Sequence, residues 1–118
     1  VNRSRSGQRA EEHARRFLET HGLALVTSNY RSRRGEIDLI MRDGPQLVFV
    51  EVRYRRHQHY GGALASIDRR KQARLIHTAS RYLQSSGHHG AARFDVVALD
   101  ARFNIQWIPN AFDADYYI

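Results

Sequence analysis

The sequence predicts an α/β layer domain with the element order αβββαββ. Three observations carry this. Apolar residues recur at helical spacing near the N-terminus and again in the second half of the chain. Apolar runs of strand length, bounded by Gly, Pro, Asp or Ser, lie between and after them. No internal repeat, low-complexity tract or linker divides the 118 residues, and one domain with a single sizeable core is the expectation for that length. Residues 1–6 and 113–118 read as flexible tails of that domain.

The first helix is expected over residues 7–21, where Ala10, Ala14, Phe17, Leu18 and His21 share one face. Gly22 is its stop signal. "LALVTSNYR" (23–31) is the first strand and "GEIDLIMR" (35–42) the second. Asp43-Gly44, reinforced by Pro45, marks a tight turn. "QLVFVEVR" (46–53) is the third strand, and a polar loop with a Gly61-Gly62 hinge follows. The second helix runs over 67–84 with Leu75, Ile76, Ala79, Tyr82 and Leu83 on its apolar face, and ends near Gly87. "RFDVVAL" (93–99) is the fourth strand. "NIQWI" (104–108) is the fifth, stopped by Pro109.

Composition is ordinary for a globular domain, 42% hydrophobic and 26% charged, but the charge balance is not. Nineteen Lys+Arg against twelve Asp+Glu leave +7. Almost all the cations are arginines, with Lys71 standing apart. Arginine's planar fork suits phosphate better than a point charge does. Nucleic acid is therefore the leading partner class, ahead of an anionic membrane surface. The absence of cysteine removes disulfide frameworks and thiolate metal sites. No apolar run approaches the ~18 residues of a membrane span, and no signal peptide is visible, so the cytoplasm is the expected compartment.

Against that background, Asp38 and Glu51 are unexpected, because each sits in an apolar strand. An unpaired carboxylate in such a setting costs several kcal/mol or goes neutral. Alternation puts Glu36, Asp38 and Ile40 on one face of the second strand, and Phe49, Glu51 and Arg53 on one face of the third. If the hairpin closes on Asp43-Gly44 alone, Asp38 and Glu51 are diagonal neighbours ~7–8 Å apart. A four-residue loop, 43–46, sets them directly opposite, and a three-residue loop separates them. Glu11 lies at the edge of the first helix's apolar face, whereas Glu12 points to solvent. Converging carboxylates suit a hard divalent cation, Mg²⁺ or Mn²⁺, and Arg53 could bind a phosphate beside it. The alternative is that Glu51 simply pairs with Arg53 or Arg93.

"GEIDLI…LVFVEVR", "RFDVVAL", "YGG", "RRKQARL" and the closing "WIPNAF" together resemble the YraN-like proteins, an uncharacterised bacterial family, over Gly7 to Phe112. That family is similar in turn to the PD-(D/E)xK nuclease superfamily. The resemblance implies a central mixed β-sheet flanked by helices, like that of restriction endonucleases and Holliday junction resolvases. It implies Mg²⁺ held by Glu11, Asp38 and Glu51, with Arg53 where such nucleases carry a lysine. A guanidinium stays protonated and cannot take a proton from water. Some related nucleases draw the lysine from the following helix, where Lys71 stands here with Gln72 beside it. Lys71 either reaches the site or is a solvated cation. Resolvase-like relatives act as dimers, so a homodimer is one assembly the resemblance allows.

Basic clusters surround these positions. Arg70, Arg74, His77 and Arg81 form one stripe on the second helix. Arg55, Arg56, His57, His59 and Tyr60 crowd the loop after the third strand, and Arg31, Arg33 and Arg34 precede the second. Such clusters can follow a phosphate backbone, and nothing in them reads base identity. His57, His59, His88 and His89 lack a third ligand for zinc, and Asp95 reads as a structural partner for an arginine. The leading expectation is a Mg²⁺-dependent endonuclease acting on structured DNA. The alternatives are a catalytically inactive nucleic-acid-binding module and an adaptor for an acidic protein.

Overall fold

The computed structural model describes residues 5–55 and 62–114. It contains helix α1 (Arg5–Thr20), strands β1 (Ala24–Arg31), β2 (Glu36–Asp43) and β3 (Gln46–Tyr54), and a one-turn helix α2 (Gly62–Ala65). Helix α3 (Arg69–Ser86) and strands β4 (Ala92–Leu99) and β5 (Ile105–Phe112) follow. The order is the expected one with α2 added. Residues 5 and 6 belong to α1; residues 1–4 and 115–118 of the expected tails lie outside the described residues. No helix among the described residues is long and apolar enough to cross a membrane.

The strands form one mixed sheet in the order β1-β2-β3-β4-β5. Every neighbouring pair is antiparallel except β3–β4. That parallel pair requires a crossover, which α3 supplies. The alternation read from the sequence then sorts the core into two layers. Leu39, Met41, Val48 and Val50 pack against Ala10, Ala14 and Leu18 of α1. Ile40, Leu47 and Phe49 pack on the other face against Leu75 and Ala79 of α3. Complete burial of a side chain such as Leu18 contributes about 1.5–3 kcal/mol.

Local signals fix the helix ends. Gly22, at φ 92°, takes the left-handed conformation; its N–H donates to Glu19 O, and Leu23 N–H donates to Leu18 O. Together these bonds satisfy carbonyls the helix leaves open. Asp68 is the N-cap of α3, its side chain accepting from Lys71 N at 2.8 Å, so the helix starts two residues later than its apolar spacing suggests. Gly87 closes it in the left-handed region.

The β2–β3 hairpin pairs Asp43 with Gln46 and Arg42 with Leu47, the register that faces Asp38 toward Glu51. The ladder ends one step earlier, at Leu39–Val50. Beyond it the strand phase slips, since Ile37 and Leu39 belong to opposite core layers.

β5 runs past Pro109 to Phe112, further than expected. Proline is tolerated because β5 is an edge strand. The ladder with β4 shifts between Phe94 and Val96, and Asn110 takes φ 51° there. Asp95, fully buried, secures the irregularity by accepting from Asn110 N at 2.9 Å and Trp107 Nε1 at 3.0 Å. It also accepts from Arg93 Nε and Nη2, at 3.0 and 3.2 Å. Arg93 is thus Asp95's partner, and that hydrogen bond above all raises the guanidinium's pKa above its ordinary value. Arg93 Nη1 reaches Asp43 and Gln46, joining the hairpin turn to β4.

Candidate functional site

Three carboxylates meet where α1 crosses the β1–β2 edge. Oxygens of Glu11, Glu36 and Asp38 all lie within 4.8 Å of one another, and each side chain is half-buried. Glu11 comes from the helix-face edge, one residue after the buried Ala10. Glu36 and Asp38 flank Ile37 on β2, and their carboxylates reach the same point. Each has a partner that orients it. Asn29 Nδ2 donates to Glu11 Oε1 at 3.0 Å, from a β1 residue at φ 54°. Arg31 Nε donates to Glu36 Oε1 at 2.7 Å. Val52 N–H donates to Asp38 Oδ2 at 2.8 Å. In that last bond a side chain binds a β3 amide just beyond the β2–β3 ladder, at the point where the phase of β2 slips.

Glu51 occupies the adjoining position on β3, but on the α3 face. It is 6% exposed. Lys71 Nζ stands 3.4 Å from its Oε2, and Arg53 Nε stands 3.7 Å from the same oxygen. Among the described residues, Glu51 Oε1 and Arg53 Nε are buried without a hydrogen bond, a cost of about 1–3 kcal/mol or more apiece that the ion pairs at Glu51 Oε2 partly offset. Arg93, the other partner considered for Glu51, is engaged with Asp43 and Asp95 instead.

Among the sequence candidates, then, Glu11 and Asp38 come together, and Lys71 and Arg53 gather at Glu51. No group containing Glu51 reaches the closeness of the three-carboxylate group among the described residues. Gln72 caps locally, its Nε2 donating to Ile67 O at 3.0 Å. Glu36 was not among the candidates, although its i, i+2 relation to Asp38 already placed it on the same face.

The donor set suits a hard cation. It offers only carboxylate oxygens, several at one point, as Mg²⁺ and Mn²⁺ prefer. Three negative groups held this close also repel one another, and a divalent ion relieves that repulsion. Glu11, Glu36 and Asp38 are the residues that would hold it.

The basic candidates divide. Arg33, Arg34 and Arg81 line one cleft with Arg31 and His77. Arg55, Arg70 and Arg74 do not line it, although Arg74 lies close to Gly35, the residue after the lining run. Arg56, His57, His59 and Tyr60 lie outside the described residues.

The model of the uncharacterised protein family UPF0102 matches residues 10–99. A UPF0102 protein of Halorhodospira halophila is 57% identical over 106 residues, covering 90% of this chain and 85% of its own. Another from Pseudomonas fluorescens is 50% identical over 115 residues, covering 92% and 94%. A third, from Methylococcus capsulatus, is 48% identical over 116 residues, covering 96% and 94%.

Proposed function

This chain belongs to the uncharacterised protein family UPF0102, and on that premise we propose that it is a metal-dependent endonuclease hydrolysing phosphodiester bonds in structured DNA. The observation that carries the reading is the meeting of Glu11, Glu36 and Asp38 within 4.8 Å in a chain of net charge +7. A cluster of acids on a strongly basic protein suits a polyanion that is to be bound through a cation. The resemblance to PD-(D/E)xK nucleases supports the same reading. Mg²⁺ or Mn²⁺ bound there would supply neutralisation of phosphoryl charge and acidification of a coordinated water.

The protein's own groups have distinct tasks. Asn29, Arg31 and the Val52 amide hold the three carboxylates in place. Arg53 offers a guanidinium, which suits it to stabilising phosphate charge and not to activating a water. Lys71, beside Glu51, adds a mobile cation from α3 where it can meet negative charge developing on the substrate. Arg53 in the usual lysine position favours a second reading, a binding module without turnover.

Cleavage of branched, flapped and linear DNA with Mg²⁺ or Mn²⁺ separates the two readings. The nuclease reading expects cutting that EDTA abolishes. It also expects a drop of roughly 10–100-fold for Lys71→Ala, the scale for losing a group that orients or supports a metal site. DNA binding with no metal-dependent cutting of any substrate would leave the binding module.

A further inference from the structure

We propose that the cleft between the β1–β2 loop and α3 is a seat for a backbone phosphate of the nucleic acid, next to the acidic cluster. Naming the anion as nucleic acid rests on the function proposed above; the cleft's preference for an anion rests on its own chemistry. It is a cavity of about 370 Å³. The run Tyr30–Arg34 lines one side, and His77 and Arg81, one turn apart on α3, line the other. Four arginines and a histidine thus line it, Arg31 already paired with Glu36, and no carboxylate among the described residues lines it. Cations gathered this closely repel one another and favour an anion between them.

The loop is held so that these arginines are preorganised. Ser32 N–H donates to Gly35 O at 2.8 Å, closing a turn with Arg33 and Arg34 at its centre. Ser32 Oγ and Thr78 Oγ1 are hydrogen-bonded at 2.8 Å, tying the turn to α3. A Cβ on Gly35 would meet Thr78 Oγ1 at 3.3 Å and Arg74 Cβ at 3.5 Å, so a side chain there would press the loop a few tenths of an ångström away from α3. Binding then costs less ordering of the loop.

Tyr30 lines the cleft as well, its ring standing edge-on to Tyr82 of α3. One feature favours a nucleic-acid strand over other polyanions. Arg31 belongs to both places: it lines the cleft, and its Nε donates to Glu36 of the acidic cluster at 2.7 Å. A strand seated here by one phosphate runs directly toward the acids. The seat therefore sets the strand's path and carries no base readout.

The test is fluorescence anisotropy of a labelled branched DNA in EDTA, where no metal takes part. The triple variant Arg33→Ala/Arg34→Ala/Arg81→Ala is compared with a charge-matched control, Arg16→Ala/Arg42→Ala/Arg102→Ala. All six arginines are exposed, and circular dichroism confirms that both variants fold. The cleft variant is expected to lose at least about tenfold in affinity, and its salt slope should fall by about 2–3, close to one per phosphate contact. The control should lose clearly less. Equal losses in the two variants, or wild-type affinity in the cleft variant, would overturn the seat. So would more effective competition by anionic vesicles or polyglutamate than by unlabelled DNA at equal charge. Binding through the cleft without any metal-dependent cutting would overturn the nuclease reading alone.

Discussion

Replacing Asp38 with asparagine is expected to lower metal-dependent cleavage by more than the roughly 100-fold that marks the loss of an outer-shell partner. Folding should be nearly untouched. Asparagine has the shape of aspartate, and its carbonyl oxygen can still accept from Val52 N–H, the bond that Asp38 Oδ2 makes at 2.8 Å. The folded state should remain within about 1 kcal/mol of wild type, the net worth of one ordinary hydrogen bond. Removing one of three crowded charges also relieves repulsion when no cation is present. Thermal unfolding with and without Mn²⁺ separates the effects. Wild type should gain stability with Mn²⁺, by about 2.7 kcal/mol at a hundredfold excess over Kd, and Asp38→Asn should gain little. Asp38→Ala is the less informative variant, because it also strands the Val52 amide.

The largest stability effect is expected at Asp95, far from any catalytic claim. Asp95→Ala removes one buried carboxylate that accepts from Arg93 twice, from Trp107 and from the Asn110 amide. Arg93 would keep only Asp43 and Gln46, while the Trp107 and Asn110 donors would lose their acceptor. Breaking a buried pair by deleting one partner costs about 3–5 kcal/mol. Total stability for a domain of this size is about 5–15 kcal/mol, so the variant should be severely weakened in urea unfolding. A midpoint shift worth less than about 1 kcal/mol would show that this network is not what fixes β5 to the sheet.

The sequence carried the elements well where physics is local. Alternation in β3 located Glu51 and Arg53 on one face, and helical spacing picked Ala10, Ala14 and Leu18 as the buried side of α1. The hairpin register was one of three open alternatives, because a turn of Asp, Gly and Pro suits several loop lengths. What stayed hidden depended on side chains replacing backbone partners. Asp38 binds the Val52 amide where the phase of β2 slips, and its carboxylate meets those of Glu36 and Glu11 while Glu51 pairs with Lys71 of α3. Asp95 recruits Asn110 and lets β5 continue through Pro109. Both contacts link residues at least fourteen positions apart, beyond any local pattern. The same holds for the cleft, where Arg33, Arg34 and Arg81 were legible as separate clusters. Contacts distant in sequence, such as Ser32–Thr78, forty-six positions apart, and Tyr30–Tyr82, bring them to one place.

A manganese titration followed by electron paramagnetic resonance tests the central claim most directly. Wild type should bind Mn²⁺ at a saturable site, and Asp38→Asn and Glu36→Gln should each weaken it at least about tenfold, the lower bound for outer-shell losses, while remaining folded. Identical Mn²⁺ binding by wild type and Asp38→Asn would contradict the account, as would no binding by wild type at all.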